Sequence, residues 1–481
     1  MMQTRRDFIR AIAGAVPFVE YRHLLSAMIP DTGTKRPTIV VFLADDHGYW
    51  DSSVYGSTDV RTPNMQRLAD DGLTFTSAFV ASPSCAPSRA AMLTGLMPAR
   101  NGAEANHTYP RPGVKQLPAY LQQLGYEVAA FGKISHGAEA NARDAGFDHV
   151  NRMPREVAVG AIERYLQSRD SRKDLCLFVG SSATHILLGP WPKNEGYDPN
   201  SIDLPPSHYD TAETREYRTR YLSGVNKLDR QLGQTYALAR RVFGDNMVFI
   251  YSSDHGAQWP FGKWNLYDQA IRTPLMVTWP GVIPAGQKTD AMVNWVDFLP
   301  TLIEIAGGTP PSDLDGKSFL PVLKGNKDPH RDAIFTTHSS DHFPTRMNAY
   351  PIRSIRTDRF KYILNLRPDC YHTTHIDLGN NIDGLRYWYS WLKAAETDPR
   401  AKQIVDRYHI RPKEELYDVR SDPFELNNLA GSVQHQETLT ALRRRLEEWM
   451  AAQGDKQQDT AEPYPRSQPK PVSDRLSEVT G

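Results

Sequence analysis

The stretch Thr38-Ile39-Val40-Val41-Phe42-Leu43-Ala44 is a continuous apolar, β-branched run, and it ends abruptly in Asp45-Asp46-His47-Gly48. A run of this kind is typical of a strand that is buried on both faces and carries polar groups at its carboxyl end. Similar runs recur along the chain at residues 128–131, 175–180, 247–252 and 275–278. The repetition predicts a sheet built from several buried strands.

Helical patterns lie between these runs, at residues 64–71, 117–125, 157–168 and 213–242. Strands that alternate with helices predict an α/β fold, in which a mostly parallel sheet carries helices on both faces. Ligands of such sheets bind beyond the carboxyl ends of the strands. Polar residues follow the apolar runs at these ends: Asp45-Asp46, Lys133, His185 and Asp254-His255. We therefore expect the functional site at that edge of the sheet.

The sequence pattern changes beyond residue 307. Short strand-like runs at residues 333–337, 352–356 and 360–364 precede a helical pattern at 435–451, which predicts a smaller α+β subdomain with a short antiparallel sheet. The chain thus divides into a signal region, a catalytic domain, a C-terminal subdomain and a polar, proline-rich tail that we expect to be disordered. The boundaries of these four parts are residues 1–30, 36–307, 308–452 and 453–481.

The overall charge excludes two classes of partner. The 481 residues include 56 basic and 56 acidic side chains. A net charge of zero provides no general attraction to nucleic acid or to acidic membranes, so neither is an expected partner, and any preference for anions must come from a local site. The three cysteines, Cys85, Cys176 and Cys370, are too few for a disulfide framework.

The first residues resemble an export signal. Thr4-Arg5-Arg6-Asp7-Phe8-Ile9 is similar to the twin-arginine motif, and the weakly apolar stretch at residues 11–19 is too short to span a bilayer. An amphipathic N-terminal helix is the alternative interpretation. An export signal predicts a periplasmic or secreted protein whose mature form has no membrane segment.

Two acidic clusters are candidates for a metal site. The adjacent carboxylates of Asp45 and Asp46 repel each other unless a cation lies between them, although a solvated turn also accommodates such a pair. Ser252-Ser253-Asp254-His255-Gly256 adds a second cluster at another predicted strand end. Three carboxylates and one further ligand suit a hard divalent ion.

The segment Ser84-Cys85-Ala86-Pro87-Ser88-Arg89 opens a predicted helix. Proline near the first turn suits a helix start. A cysteine at that position has a depressed pKa and faces incoming anions. The alternative is a buried structural cysteine that precedes a proline-led helix.

Cys85-x-Pro87-Ser88-Arg89, followed by Leu93-Thr94-Gly95, resembles the signature of type I sulfatases, in which the cysteine is oxidised to formylglycine. The resemblance extends from residue 36 to residue 429 and implies an alkaline-phosphatase-like fold. Within that family the pattern is most similar to heparan N-sulfatase, as in Asn265-Leu266-Tyr267. Residues 132–136 and 254–256 look more like iduronate-2-sulfatase.

The resemblance implies a mechanism and roles for named residues. Hydrated formylglycine at position 85 would attack sulfur with one hydroxyl and expel sulfate with the other. Arg89 would steady this diol, while Lys133 and Lys263 would neutralise the sulfate oxygens. Maturation would require a formylglycine-generating enzyme as a partner. A divalent ion would be held by five residues: Asp45, Asp46, Cys85, Asp254 and His255.

Four further residues are candidates by the same resemblance. His136 would attend the formylglycine hydroxyl, and His185 would protonate the leaving group. The loop after His185 departs from the family pattern because residues 186–189 are extra. His107 and Arg353 are candidate substrate contacts. The alternatives are histidines with purely structural roles and, for Arg353, a surface arginine.

The metal is expected to be Ca²⁺. Many family members place an asparagine at the position of His255, which gives calcium an all-oxygen shell. An imidazole nitrogen suits transition metals better, so Mg²⁺, Mn²⁺ and Zn²⁺ stay open as alternatives.

The predicted reaction is hydrolysis of sulfate esters or N-sulfates in sulfated saccharides, such as glycosaminoglycan or algal polysaccharide fragments. One alternative is a phosphonate or phosphodiester hydrolase of the same superfamily. Asn265-Leu266-Tyr267 and residues 350–354 favour the sulfatase over that alternative. A second alternative is an unmodified, inactive carbohydrate-binding protein.

Overall fold

The computed structural model describes residues 36–137, 139–152, 157–185, 193–341, 348–378, 385–457 and 459–470. The predicted signal region and the irregular loop after His185 lie outside these ranges. Within them, every helix is too short or too polar to serve as a membrane-spanning segment.

The apolar runs form neighbouring strands of one mixed sheet, which has nine strands among the described residues. The strands are β1 (Thr38–Ala44), β2 (Leu73–Phe79), β3 (Tyr126–Gly132), β4 (His149–Asn151), β5 (Asp174–Ser181), β6 (Met247–Ser253), β7 (Arg272–Thr278), β8 (Gln287–Thr289) and β9 (Val293–Asn294). Their order is β4-β3-β5-β1-β6-β7-β2-β8, and β9 also pairs with β2. Of these strands β7 alone runs antiparallel to its neighbours, so the sheet is mostly parallel, as predicted.

Strand β1 shows why its sequence is apolar without interruption. Successive side chains of a strand point to opposite faces. Ile39, Val41 and Leu43 enter one hydrophobic core, whereas Val40 and Phe42 enter another on the opposite face. A core on each face requires an apolar residue at every position, which is the pattern that the sequence has.

Helices pack on this sheet. They are α1 (Pro63–Asp70), α2 (Cys85–Thr94), α3 (Pro98–Asn101), α4 (Leu117–Gln123), α5 (Glu139–Asp144), α6 (Val159–Ser168), α7 (Ala212–Phe243), α8 (Asp268–Ile271) and α9 (Phe298–Ile305). In α7 the buried residues Leu228, Leu232 and Tyr236 recur every four positions and join one core. This spacing places them on a single face of the helix, which explains the long helical pattern in the sequence.

The C-terminal part contains the predicted antiparallel sheet, formed by β10 (Ile334–His338), β11 (Ile352–Arg356), β12 (Phe360–Asn365) and β14 (Glu414–Asp418). Its helices are α10 (Leu320–Leu323), α11 (His375–Leu378), α12 (Leu385–Ala394), α13 (Pro399–His409) and α14 (Gln436–Gln453). Leu442 and Leu446 of α14 pack with Tyr362 and Leu416 of the sheet. The helix at residues 435–451 therefore covers the small sheet, as expected.

The prediction of a disordered tail is wrong for the described residues 454–457 and 459–470. Strand β15 (Tyr464–Pro465) pairs antiparallel with β13 (Cys370–Tyr371). Asp455 also accepts a hydrogen bond from Arg353, with 2.9 Å between Oδ1 and Nη2. The polar composition suggested disorder, but backbone pairing and a buried ion pair hold this segment in place.

The three cysteines, Cys85, Cys176 and Cys370, are buried and unpaired. The fold therefore has no disulfide framework, as the cysteine count indicated.

Candidate active site

The carboxyl ends of β1 and β6 bring the two acidic clusters together. The backbone N–H of Asp254 donates to the carbonyl of Ala44 at 3.1 Å, and that of Asp46 donates to Asp254 Oδ1 at 3.2 Å. Asp46 has a φ of 65°, a strained conformation for a residue other than glycine. Asp45, Asp46 and Asp254 are fully buried. Three carboxylates removed from water require compensating positive charge.

Cys85 is the first residue of α2, and its side chain faces this cluster. Its Sγ lies 3.4 Å from His255 Nε2 and 3.6 Å from Asp45 Oδ1. One turn further along, Ser88 Oγ donates to the carbonyl of Asp254 at 2.6 Å and fixes the helix start against the end of β6. The helix predicted from the cysteine motif thus carries Cys85 to the acidic strand ends.

Two lysines flank the cysteine. Lys133 Nζ lies 2.7 Å from Asp45 Oδ2, and Lys263 Nζ lies 2.9 Å from Asp46 Oδ1. Each ammonium group also reaches Cys85 Sγ, at 3.5 Å for Lys133 and 3.4 Å for Lys263. An anion bound at Cys85 would therefore meet two positive charges.

Arg89 joins the acidic clusters to each other. Its Nε donates to Asp254 Oδ2 at 2.9 Å, and its Nη2 donates to Asp45 Oδ1 at 3.2 Å. Its Nη1 donates to the backbone carbonyls of Lys133 and Ile134. The guanidinium therefore holds the ends of three strands, β1, β3 and β6, in fixed positions around the cluster.

These charges shift the acidity of the groups around Cys85. Burial by itself raises the pKa of the Cys85 thiol, but the surrounding donors and positive charges, with Lys133 and Lys263 foremost, together hold that pKa well below its ordinary value. Burial raises the pKa of Asp254 to about 7. Burial opposes charge on His255, yet the neighbouring Asp254 raises its pKa to about 9. Both shifts follow from the burial of several charged groups close together.

The donor set fits a divalent cation. In each of two overlapping groups of residues, one ligand atom per residue lies within 4.8 Å of the others. The first group is Asp45, Cys85, Asp254 and His255, and the second is Asp45, Asp46, Cys85 and His185. His255 Nδ1 donates to the carbonyl of Gly256 at 2.9 Å, so in the neutral ring the Nε2 lone pair faces the carboxylates. The structure brings the five predicted metal ligands together and adds His185 beside them.

The candidate histidines lie around the same cluster. His185 Nε2 is 3.9 Å from a carboxylate oxygen of Asp45 and 3.9 Å from one of Asp46. His136 Nε2 lies 2.7 Å from His107 Nδ1, and His136 lowers the pKa of the Cys85 thiol. His107 thus contacts another candidate site residue.

Arg353, which was predicted as a substrate contact, is held by other residues of the chain. Its side chain is 1% exposed and forms an ion pair with Asp455. Its Nη1 donates to the carbonyls of His338 and Ile352 at 2.9 and 3.0 Å. The guanidinium fastens the C-terminal segment to β11. The sequence gives no sign of this pair because its members lie 102 residues apart.

Two buried residues near the site were not predicted. Asn106 Oδ1 accepts a hydrogen bond from the backbone N–H of Ala86 at 3.2 Å. Asn106 also forms an isolated backbone bridge with Asp341, whose Oδ2 accepts from Asn348 Nδ2 at 2.7 Å. No motif marks Asn106 or Asp341, since both lie on loops that the fold brings together.

Comparison with known proteins gives consistent matches. Residues 37–308 match the sulfatase family, and residues 255–390 match the family described as N-sulphoglucosamine sulphohydrolase, C-terminal. An ulvan-active sulfatase of Formosa agariphila is 32% identical over 434 residues, which span 88% of this chain and 81% of that relative.

Solved structures share the fold. A structure in complex with its substrate D-glucosamine-2-N,6-O-disulfate has 22% sequence identity and a TM-score of 0.64 over 88% of this chain and 99% of that chain. A phosphonate monoester hydrolase of Agrobacterium radiobacter has 19% identity and a TM-score of 0.66 over 87% and 96%. Since proteins with different substrates share it, the fold by itself does not identify the reaction.

Proposed function

This chain belongs to the sulfatase family, and from that premise we propose that it hydrolyses sulfate groups of sulfated saccharides with Cys85, converted to formylglycine, as the nucleophile. The observation that supports this proposal most is the position of Cys85 Sγ. It lies 3.4 Å from both His255 Nε2 and Lys263 Nζ and 3.5 Å from Lys133 Nζ. The sulfur atom stands in for the oxygens of hydrated formylglycine.

The surrounding side chains suit sulfate transfer at that position. Formylglycine, once hydrated, supplies two hydroxyls on one carbon, one to attack sulfur and one to expel sulfate afterwards. Lys133 and Lys263 face the place of the transferred group and neutralise its oxygens. Arg89 holds the carboxylates in fixed positions relative to the start of α2. The protein thus orients the nucleophile and holds positive charge where negative charge is redistributed.

We propose Ca²⁺ as the metal, held by Asp45, Asp46, Asp254 and His255 beside residue 85. A bound divalent ion polarises the sulfuryl oxygens and lowers the pKa of the nucleophile. Three buried carboxylates are the hard oxygen donors that calcium prefers. The imidazole of His255 is the feature that keeps Mg²⁺, Mn²⁺ and Zn²⁺ as alternatives.

The substrate class follows from the relatives. One relative is named for its action on ulvan, and one solved structure holds a glucosamine bearing both N- and O-sulfate. The match of residues 255–390 to the sulphohydrolase C-terminal family adds support for a sulfated amino sugar. We propose a sulfated saccharide in which the scissile group is an O-sulfate or an N-sulfate.

A phosphonate monoester hydrolase is the second candidate because one such enzyme shares the fold. The two family matches favour the sulfatase. The test compares kcat/KM of the formylglycine-bearing enzyme for an aryl sulfate, the matched aryl phosphonate monoester, and a panel of N- and O-sulfated disaccharides. We expect turnover of sulfate to exceed turnover of phosphonate, and at least one disaccharide to be desulfated. Preference for the phosphonate would contradict the proposal.

The position of His185 leads to a prediction about the leaving group. If His185 protonates that group, His185→Ala should lower kcat/KM by about 100-fold or more for a sulfated sugar, whose alcohol departs poorly. The loss should be much smaller for an aryl sulfate, because a phenolate departs without a proton. Initial rates with the two substrates measure the difference.

Lys133→Ala is the matched comparison for His185→Ala. Lys133 neutralises sulfate oxygens whatever the leaving group, so its removal should cost about 100-fold with either substrate. Equal losses on sugar and aryl sulfates in His185→Ala would remove the acid role from His185.

We propose that the protein is exported by the twin-arginine route and acts in the periplasm or outside the cell. The motif Thr4–Ile9 supports this proposal, and it lies outside the described residues. The route carries folded proteins, so a formylglycine-generating enzyme in the cytoplasm could convert Cys85 before export.

A further inference from the structure

A series of hydrogen bonds begins at the backbone of Ala86, next to the nucleophile. The N–H of Ala86 lies 3.2 Å from Asn106 Oδ1. A backbone N–H can only donate, so the side-chain atom in this contact must be the amide oxygen. The amide nitrogen, Nδ2, therefore points the other way, where it lies 3.3 Å from His107 Nε2.

Burial also restricts this amide, because Asn106 is only 4% exposed and has little freedom to turn. The contact with the N–H of Ala86 therefore sets its orientation.

The orientation of Asn106 determines where the histidines carry their protons. An amide nitrogen only donates, so His107 Nε2 must accept, and a neutral His107 carries its proton on Nδ1. That atom lies 2.7 Å from His136 Nε2. His107 Nδ1 therefore donates to His136 Nε2, which leaves the proton of a neutral His136 on Nδ1.

Since Nε2 of His136 faces His107, Nδ1 is the ring nitrogen that is left to contact the nucleophile. It is buried and makes no hydrogen bond of normal geometry within the described part of the chain. Nonetheless His136 lowers the pKa of the Cys85 thiol, as a donor beside the sulfur would. His107 has a φ of 60°, a strained conformation that its surroundings must hold in place.

We propose that Asn106 and His107 are positioning residues that fix the tautomer of His136, so that neutral His136 donates its Nδ1–H to an oxygen of formylglycine at position 85. His136 then steadies one hydroxyl as a donor. The direction of the hydrogen bond between His107 and His136 reverses only if the amide of Asn106 turns over. The amide would then lose its contacts with Ala86 and His107. In this proposal His107 orients protons, and its contact with the substrate stays a prediction.

Two variants of His107 with nearly the same shape test the proposal, and the exposed position of His107 makes misfolding of either variant a small concern. In His107→Asn the amide can donate to His136 Nε2, as His107 Nδ1 does. In His107→Asp the carboxylate can only accept, so it requires a proton on His136 Nε2. We expect kcat of His107→Asn to stay within about tenfold of the unsubstituted enzyme, and kcat of His107→Asp to fall about 100-fold or more. KM should change less than kcat in both variants.

The spectroscopic measurement is the ¹⁵N shift of each ring nitrogen in the full-length, histidine-labelled protein, with His136 assigned from the spectrum of His136→Gln. We expect an unprotonated Nε2 on His136 in the unsubstituted protein and in His107→Asn, and a protonated Nε2 in His107→Asp. A protonated Nε2 on His136 in the unsubstituted protein would overturn the proposal. So would equal rises of KM in both variants with no change in the ring nitrogens, since that result indicates a substrate contact.

The kinetic part of this inference rests on the proposed function, because it needs turnover of a sulfate. The tautomer of His136 is measured without turnover. A failure of the sulfatase assignment therefore leaves the ¹⁵N result interpretable, and the two failures are distinguishable.

Discussion

Cys85→Ala is expected to lower sulfate hydrolysis by roughly 100,000-fold, which is the scale of losing a catalytic nucleophile. The two amines beside Cys85, those of Lys133 and Lys263, are held by carboxylates and cannot replace the attacking group. The measurement is the initial rate with an aryl sulfate, together with the circular dichroism spectrum to show that the fold is retained.

Cys370→Ala is the matched control, because Cys370 is also a buried free thiol but lies in β13. It should keep its catalytic rate.

Cys85→Ser extends the prediction. A serine hydroxyl could attack sulfur once, but its sulfate ester has no second hydroxyl to expel the sulfate. This variant should release at most one leaving group per enzyme and stay sulfated. Steady turnover by Cys85→Ala would exclude Cys85 as the nucleophile.

Replacement of a metal carboxylate by its amide should abolish metal binding and activity together. We expect Asp45→Asn, Asp46→Asn and Asp254→Asn each to lower kcat/KM by about 1,000-fold or more, since a metal contributes several kcal/mol of transition-state stabilisation. Elemental analysis of the purified variants measures the bound ion. In the unsubstituted enzyme, removal of the ion by a chelator should abolish activity, and calcium should restore it.

His255→Asn distinguishes calcium from a softer ion. The amide oxygen offers calcium a hard ligand in place of the imidazole, so this variant should retain calcium. The backbone contact from Nδ1 to Gly256 is lost, but the three carboxylates keep their positions through Arg89 and the lysines. Loss of all metal in His255→Asn would indicate a site built for a transition metal.

The core strands were predictable because a strand that is buried on both faces requires an uninterrupted apolar run in the sequence. Strand β2 was missed because three hydroxyl side chains, Thr74, Thr76 and Ser77, interrupt the apolar run at Leu73–Phe79. Thr74 and Ser77 are nevertheless buried in the sheet. Strand β14 was missed for a similar reason, because buried Glu415 is satisfied by hydrogen bonds from Tyr267 and Asn365. Tertiary partners decide the burial of such polar residues.

The sequence could predict those site residues whose position follows from the topology of the sheet. Asp45, Lys133 and Asp254 each follow a parallel strand directly, so the fold class alone brings them to one edge. Asn106 and Arg353 depend on contacts between loops and subdomains that are distant in sequence. Their partners, Ala86 and Asp455, could be identified only from the three-dimensional structure.

The most direct test of the proposed mechanism is the mass of the peptide that contains Cys85, measured with activity in preparations that differ in the extent of conversion. We predict a peptide lighter than encoded by the difference between a thiol and an aldehyde. Specific activity should rise in proportion to the converted fraction and extrapolate to zero at no conversion. Full sulfatase activity in protein whose Cys85 peptide keeps its encoded mass would contradict the formylglycine mechanism.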